Sequence, residues 1–329
     1  MDTQRFDVFN GDADGICAQH QWRLAYPAAS TLVTGVKRDV ALLQRVDCAE
    51  GAQVTVFDVA IDANAAPLRR ILDSGAHVTW FDHHSARQAF PHPRLRLFWD
   101  DAPDMCSSLL VNRYLGGRYR AWAVAAAFGD NLAGPARSLA QSIGLSEARI
   151  AALAELGTVL NYNAYGECVD DLHLAPDALY RAISAYADPF DFIASSEQYG
   201  MLTDGYRADA ARLHGLHPQW EWEYGAVYVL PDACWARRVS GVLANHLAAG
   251  EDGRAYAVLT ENPDGTFVAS VRSGEPGTHA ANVLCECFAG GGGRRAAAGI
   301  NRLPAADVGR FVRAFSDYFG SCAGHTHAG

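Results

Sequence analysis

The sequence has little positive charge. Its 37 aspartates and glutamates outnumber its 27 lysines and arginines, which gives a formal net charge of −10. This balance argues against a long basic groove for duplex nucleic acid, because such binding depends on neutralising many phosphates. A small anionic substrate that is held by a few local cations remains open.

Paired cysteine motifs and long apolar runs are also missing. Eight cysteines are scattered over 329 residues without a CxxC spacing, and disulfide frameworks belong mostly to much shorter secreted chains. We therefore expect the cysteines to be reduced core residues. No stretch approaches the roughly 18 apolar residues of a membrane span, and no signal pattern opens the sequence. We expect a cytoplasmic protein without a membrane partner.

The first hundred residues predict an α/β fold with a mostly parallel, doubly wound sheet. Short apolar runs that end in Asp, Gly or Asn alternate with helical patterns, and this alternation is typical of parallel sheets. The predicted strands lie within 5–10, 31–36, 53–61, 77–84 and 95–100, and the predicted helices cover 15–26 and 64–74. Ligands bind at the carboxyl ends of such strands, where Asp12, Asp58 and Asp82 fall.

The remaining sequence predicts added helices and a second, smaller α/β domain. Apolar residues have helical spacing from about 105 to 200, and strand patterns return from 225. The predicted organisation is a catalytic domain over 1–190, a helical linker over 191–224, a small domain over 225–320 and a tail over 321–329. A glycine run at 290–293 suits either a flexible loop or a loop that approaches an anion closely.

Carboxylates and imidazoles follow several of the predicted strands. Asp12 and Asp14 are two positions apart, and like charges this close need a countercharge such as a divalent metal. A single strand-terminal Asp is commonly a turn former or a helix N-cap. The further candidates are Asp58, Asp82, His83, His84 and Asp130. Together they supply the ligand types that two divalent ions about 3.5 to 4 Å apart would require.

The order of these motifs resembles that of the DHH phosphoesterase superfamily. NGDADG at 10–15, Asp58, DHH at 82–84 and GDN at 129–131 look like its four motifs. SVRSG at 270–274 and GGGRRAAAG at 291–299 are similar to elements of the DHH-associated domain. The superfamily includes RecJ-like exonucleases, nano-RNases, cyclic-dinucleotide phosphodiesterases, exopolyphosphatases and family II pyrophosphatases. The resemblance spans roughly residues 5–320.

The resemblance implies a role for each matching residue. Asp12 and Asp58 would bind one metal ion, and a second ion would be bound by Asp14, Asp58, His83 and Asp130. The implied ions are two Mn²⁺, with Mg²⁺ or Co²⁺ as alternatives, and a water between them would attack phosphorus. His84 would contact the scissile phosphate, and Asp82 would orient a neighbouring imidazole.

The resemblance also implies a substrate-binding role for the second domain. The matching positions are Arg272, Ser273, Gly291, Gly292, Gly293 and Arg294. A planar guanidinium suits a terminal phosphate, which it can bind with two hydrogen bonds.

Two departures from the superfamily pattern bear on this assignment. Many members place a metal-binding His where this chain has Val8, and RecJ-like members use a carboxylate at the position of Asn10. The first metal site is therefore poor in ligands, unless the Asn10 amide or water completes it. Arg294 replaces the motif His, and an arginine keeps its proton near neutral pH.

We therefore expect a two-domain, metal-dependent phosphodiesterase of exonuclease type, with its cleft between the domains. The expected substrate is a dinucleotide or short oligonucleotide, and a homodimer is possible. A phosphomonoesterase or exopolyphosphatase is the alternative enzyme, and a catalytically weakened nucleotide-binding protein is the alternative from another class. Histidines outside the motifs, His20 among them, are expected to be surface or satisfied core residues. Trp220 and Trp222 alternate as in a half-buried strand.

Overall fold

The chain divides into two compact units, Met1–Gly205 and Tyr206–Gly329. The computed structural model describes residues 3–86, 91–250 and 253–321. The division between the units falls inside the segment 191–224 that was predicted to be a linker. Residues 322–329 of the predicted tail lie outside the described residues.

The first unit contains a five-stranded sheet in which every strand pairing is parallel. The strand order is β2-β1-β3-β4-β5. The strands are β1 (Arg5–Phe9), β2 (Thr31–Val33), β3 (Gln53–Phe57), β4 (His77–Asp82) and β5 (Leu95–Trp99). Val8, Val56 and Trp80 of the three central strands are buried in one apolar cluster, as expected for a sheet that is covered on both faces. The α/β prediction with a parallel sheet is confirmed.

Nine helices of at least seven residues are assigned to this unit or begin in it, within the described residues. They are α1 (Ala13–Ala25), α2 (Ala65–Asp73), α3 (Ser107–Tyr114), α4 (Arg120–Gly129), α5 (Ala133–Ser142), α6 (Glu147–Tyr162), α7 (Pro176–Ile183), α8 (Pro189–Ser195) and α9 (Glu197–Ala211). The helical pattern over 176–193 forms two helices, α7 and α8, and not one. Asp188 caps α8, and its side chain accepts a hydrogen bond from the Phe190 amide at 2.9 Å. Helix α5 lies within the predicted helical region 105–200, and it buries only Ala136 and Ala140.

Helices α4 and α6 pack with their backbones in close contact. A Cβ atom on Gly157 of α6 would lie 2.1 Å from the Ala125 carbonyl oxygen of α4. A Cβ atom on Gly129, the last residue of α4, would lie 2.4 Å from the Cβ of Ala13, the first residue of α1. Only glycine permits this approach. Since Asp130 follows Gly129 directly, the contact places Asp130 near the start of α1.

The second unit contains a six-stranded mixed sheet with the order β10-β11-β9-β8-β7-β6. The strands are β6 (Trp220–Trp222), β7 (Gly225–Leu230), β8 (Ala255–Glu261), β9 (Phe267–Arg272), β10 (Gly291–Gly293) and β11 (Ala297–Leu303), and the helices are α10 (Cys234–Ala248), α11 (Ala281–Cys285) and α12 (Val308–Gly320). Trp220 and Trp222 are partly buried on either side of the exposed Glu221, which agrees with the predicted half-buried strand.

The glycine run is not a loop. Gly291–Gly293 form β10, which pairs antiparallel with β11. A Cβ atom on Gly291 would lie 1.8 Å from the Cys285 carbonyl oxygen, so the close approach of α11 already requires a glycine here. Gly293 has a φ of 138°, a conformation that favours glycine.

The prediction that the cysteines are core residues is wrong for part of the set. All seven cysteines within the described residues are free, and Cys17, Cys106 and Cys285 are buried. Cys168, Cys234 and Cys287 are exposed, and Cys48 is half-buried. Cys322 lies outside the described residues.

Among the described residues, no helix combines the length with the apolar character that crossing a membrane requires.

Candidate metal centre

The carboxyl ends of the central strands bring the predicted aspartates to one edge of the parallel sheet. Asp58 directly follows β3, and its amide donates a hydrogen bond to the Phe81 carbonyl at 3.0 Å. Asp82 is the last residue of β4. Asp12 caps α1, with its Oδ1 accepting hydrogen bonds from the amides of Asp14 and Gly15 at 3.1 Å each. All three side chains are buried.

Backbone conformation also distinguishes this edge. Within the described residues, Asp58 with a φ of 55° and Asn131 with a φ of 63° are the only non-glycine residues in the left-handed region. Such conformations cost about 1 to 3 kcal/mol and persist where the surrounding structure imposes them. One lies at the proposed bridging carboxylate, and the other directly follows Asp130.

Three carboxylates converge on one imidazole nitrogen. The Nε2 atom of His83 lies 3.2 Å from Asp58 Oδ1, 3.8 Å from Asp14 Oδ2 and 3.8 Å from Asp130 Oδ2. These four residues are the set that the family resemblance assigns to one metal ion. The ligand atoms of Asp58, His83 and His84 also lie within 4.8 Å of one another. The structure therefore gathers side chains from four separate segments of the chain.

Helix α3 fixes the orientation of Asp14. Its Oδ2 and Oδ1 atoms accept hydrogen bonds from the amides of Ser107 and Ser108, each at 2.7 Å. These are first-turn amides, which carry partial positive charge and have no partner within the helix. A carboxylate oxygen has a second lone pair, so this anchoring leaves Asp14 able to bind a metal ion.

The electrostatics of the cluster favour a bound cation. Burial, and next the charge of Asp58, raise the pKa of Asp14 to about 6. Burial also raises the pKa of Asp58 and of Asp130 above the usual range for aspartate. Although burial disfavours the imidazolium, the hydrogen bond to Asp58 raises the pKa of His83 to about 10. Carboxylates whose charged form is disfavoured by burial and by one another fit a divalent ion, which would supply the missing countercharge.

Asp82 contacts His84 and not the converging carboxylates. His84 Nδ1 lies 2.7 Å from Asp82 Oδ1, and the same oxygen accepts a hydrogen bond from the His83 amide at 2.9 Å. Burial lowers the pKa of His84, but the hydrogen bond to Asp82 and the charges of Asp82 and Asp58 together raise that pKa. The His84 side chain is 41% exposed, which suits a group that contacts a substrate.

Lys37 also lies in the site, and sequence reasoning missed it. Its ammonium forms an ion pair with Asp12 Oδ2 and donates to Asn161 Oδ1 at 3.0 Å. Burial lowers the pKa of Lys37, but the charge of Asp12, those of Tyr165 and Asp130 and the hydrogen bond to Asp12 together raise that pKa above its usual value. One signal could have identified this residue: Lys37 is the only lysine among the chain's 27 lysines and arginines.

Asn10 contacts the backbone of Lys37. Its Nδ2 donates to the Lys37 carbonyl at 3.3 Å. Its Oδ1 is buried and accepts no hydrogen bond within the described residues. Val8, which stands at the position of a metal-binding His in many relatives, is fully buried in the apolar core.

The predicted substrate-binding residues lie in the second unit. Arg272 ends β9, and its Nε donates to Asn245 Oδ1 at 2.9 Å. Ser273 Oγ donates to the His279 carbonyl at 2.6 Å and accepts from the Glu275 amide at 3.2 Å, so it stabilises the turn after β9. Arg294 is exposed and follows β10. Gly291, Gly292 and Gly293 form that strand.

His20 is a satisfied core residue. Its Nε2 donates to the Tyr186 carbonyl at 2.8 Å, and its ring packs edge-on against Trp122. Burial lowers the pKa of His20 to about 4. His20 is therefore neutral near pH 7, and its contacts indicate a structural role.

Comparison with known proteins identifies the fold. No protein-family model matches the sequence, and no curated protein is significantly similar to it. A solved structure of the exonuclease RecJ bound to manganese is 20% identical with a TM-score of 0.62, and the match covers 96% of this chain and 90% of RecJ. RecJ of Thermus thermophilus in complex with Mn²⁺ is 19% identical with a TM-score of 0.62, over 97% of this chain and 52% of that one. This chain thus spans about half of the Thermus protein.

A third similar structure is the pGpG-specific phosphodiesterase PggH from Vibrio cholerae. It is 13% identical with a TM-score of 0.55, and the match covers 97% of this chain and 99% of PggH. These neighbours show that the chain has the fold of RecJ and of PggH. The resemblance that the motifs indicated is confirmed at the level of the fold.

Proposed function

We propose that this protein is a metal-dependent phosphoesterase of the DHH superfamily. The observation that carries the proposal is the convergence of Asp14, Asp58 and Asp130 on His83 Nε2, at 3.2 to 3.8 Å. The fold shared with RecJ and PggH supports it. The set offers oxygen and nitrogen ligands from three buried side chains and from the half-buried Asp130, which suits Mn²⁺, and Mg²⁺ or Co²⁺ are the alternatives.

Each residue of the centre has a role that its contacts support. Asp14, Asp58, His83 and Asp130 would hold a divalent ion, and Asp12 is the further carboxylate of the site. A divalent ion, when bound, lowers the pKa of a coordinated water and so supplies a hydroxide near neutral pH. Asp58 has the left-handed backbone that aims its carboxylate at His83.

His84 would contact the phosphate, and Asp82 would orient His84. The hydrogen bond between His84 Nδ1 and Asp82 Oδ1 fixes the orientation of the imidazole and favours its protonated form. A partly exposed imidazolium can donate its Nε2 proton to a non-bridging phosphate oxygen as charge develops there. Asp82 therefore acts as a positioning residue.

The proposed substrate is a short phosphodiester, such as a dinucleotide or an oligonucleotide of a few residues. The net charge of −10 disfavours long nucleic acids, and PggH, which shares the fold over nearly its full length, is described as specific for pGpG. Arg272 would bind a terminal phosphate through its guanidinium, and Arg294 is a second candidate cation.

A substrate panel tests this proposal. Labelled di- to hexanucleotides, cyclic dinucleotides, a phosphomonoester and polyphosphate are incubated with the protein and Mn²⁺, Mg²⁺ or Co²⁺, and products are separated. We expect hydrolysis of the shortest phosphodiesters with Mn²⁺, and no hydrolysis by Asp58→Asn. Turnover of polyphosphate or of the monoester in preference would assign the alternative enzyme class.

The ion pair between Lys37 and Asp12 favours one other candidate, a nucleotide-binding protein with weakened catalysis. Tight binding of a dinucleotide without turnover under any of the three metals would support that function and contradict the phosphoesterase.

A further inference from the structure

We propose that Lys37 is a built-in cation that takes the place of one of the two divalent ions implied by the family resemblance, so that the site binds a single divalent ion. This inference rests on the proposed function, because it requires that the carboxylate cluster binds metal at all. It differs from the expectation of two ions that the motifs gave.

Both carboxylate oxygens of Asp12 have donor partners. Its Oδ1 accepts two hydrogen bonds from the amides of Asp14 and Gly15, and its Oδ2 forms the ion pair with Lys37. Asp14 is held by backbone amides, whereas one oxygen of Asp12 faces a full positive charge. Asp12 is the one ligand that the resemblance assigns to the first ion but not to the second.

Lys37 is held in place at its backbone and at its ammonium. Its backbone N–H donates to the Ala164 carbonyl at 2.9 Å, and its carbonyl accepts from Asn10 Nδ2. Its ammonium also donates to Asn161 Oδ1 and lies 5.6 Å from the centre of the Tyr165 ring. The lysine is therefore fixed at both its backbone and its tip, unlike a lysine on a solvated surface.

Lysine, and not arginine, occupies position 37. The chain uses arginine for 26 of its 27 lysine and arginine positions and lysine only at 37. An ammonium is a compact point charge, whereas a guanidinium is a broad planar fork. A lysine at this single position suits a place where a charge the size of a metal ion is needed.

The first ion would have few other ligands. Val8 offers no donor atom, and Asn10, which replaces a carboxylate of RecJ-like members, donates its Nδ2 to the Lys37 carbonyl and offers only one neutral oxygen, Oδ1, as a ligand. The second set, by contrast, has Asp14, Asp58 and Asp130 grouped around His83. A second divalent ion beside Asp12 would lie against the ammonium and would be repelled by it.

Metal stoichiometry tests the inference without relying on activity. The full-length protein is freed of metal with a chelator and titrated with Mn²⁺, and bound metal is counted by elemental analysis after gel filtration. Electron paramagnetic resonance then separates an isolated Mn²⁺ from an exchange-coupled pair. We expect one Mn²⁺ per chain and the spectrum of an isolated ion.

The outcomes separate this inference from the proposed function. Two bound ions with a coupled spectrum would overturn the role of Lys37 and leave the metal-dependent phosphoesterase standing. No bound ion at saturating Mn²⁺ would overturn both. These readings use the wild-type protein and do not depend on the folding of any variant.

Substitution of the lysine gives the matched comparison. Lys37→Met removes the charge and keeps a side chain of similar length, and we expect it to bind a second Mn²⁺ and to show the coupled spectrum. Lys37→Arg keeps the charge, and we expect it to bind one. A Lys37→Met protein that keeps the wild-type far-ultraviolet circular dichroism and still binds a single ion would overturn the inference.

Discussion

The Nδ1 atom of His84 lies 2.7 Å from Oδ1 of Asp82, at the carboxyl end of the fourth parallel strand. The same carboxylate oxygen accepts a hydrogen bond from the His83 amide at 2.9 Å. Asp82 thus orients the imidazole of His84 and holds the backbone of His83.

Asp82→Asn should lower kcat while leaving the metal content unchanged. Asparagine keeps an oxygen for the backbone amides but no longer favours the protonated form of His84. Substitution of such orienting carboxylates typically costs about 10- to 100-fold in metal affinity or activity, and here we expect the loss in kcat. Steady-state kinetics over a range of pH and elemental analysis provide the measurement. Wild-type kinetics, or a loss of metal as large as that of His83→Ala, would contradict this role.

His83→Ala and Arg272→Ala should affect different quantities. His83 is buried among three carboxylates, so its loss should weaken Mn²⁺ binding by at least tenfold, on the order seen for ligand-shell substitutions. Arg272 lies in the other unit, so Arg272→Ala should raise KM and leave the Mn²⁺ affinity intact. Isothermal titration with Mn²⁺ and steady-state kinetics measure the two effects. An equal loss of metal in both variants would show that the roles are not separate.

Gly157→Ala should destabilise the first unit. Alanine in a helix interior is normally favoured over glycine, but here the added Cβ would lie 2.1 Å from the Ala125 carbonyl oxygen. We expect a loss of about 1 to 3 kcal/mol in the free energy of unfolding, the usual range for overpacking. Gly200→Ala is the matched control, because the space around Gly200 in α9 is open. Urea unfolding compares them, and equal midpoints for the two variants would refute the close packing of α4 and α6.

His20 should make the protein less stable in acid. Its pKa is lowered to about 4 in the folded state from a model-peptide value of 6.5, so the unfolded chain takes up the proton first. The stability that neutral His20 supports is complete above pH 6.5 and is lost as the pH falls toward 4. A shift of this size corresponds to roughly 3 kcal/mol.

The His20→Gln variant isolates this effect, because glutamine can still donate to the Tyr186 carbonyl but does not titrate. Urea unfolding at about pH 7 and about pH 4 should show a smaller drop in stability for His20→Gln than for the wild type. The same drop in both proteins would exclude His20 as the source.

Much of the fold and of the candidate site follows from local pattern. The parallel sheet was predictable because short apolar runs rich in Val, Phe and Trp, such as 53–57 and 77–82, end in polar residues. The carboxyl ends of parallel strands meet at one edge of the sheet. That rule also places Asp58 and Asp82 together. Asp130 could be included only through the motif resemblance, since it follows a helix.

Other features depend on long-range contacts that no local pattern encodes. The strand β10 forms because α11 and β11 approach the glycine run, and a run of glycines by itself predicts only a loop. Lys37 lies 25 positions from Asp12 and 124 from Asn161. The rarity of lysine in the sequence could single out Lys37, but it could not indicate these partners.

The most direct test of the metal centre is anomalous diffraction from crystals grown with Mn²⁺ and measured near the manganese absorption edge. The account predicts an anomalous peak bounded by the carboxylates of Asp14, Asp58 and Asp130 and by His83 Nε2. Crystals saturated with Mn²⁺ that show no peak among these four side chains would contradict it.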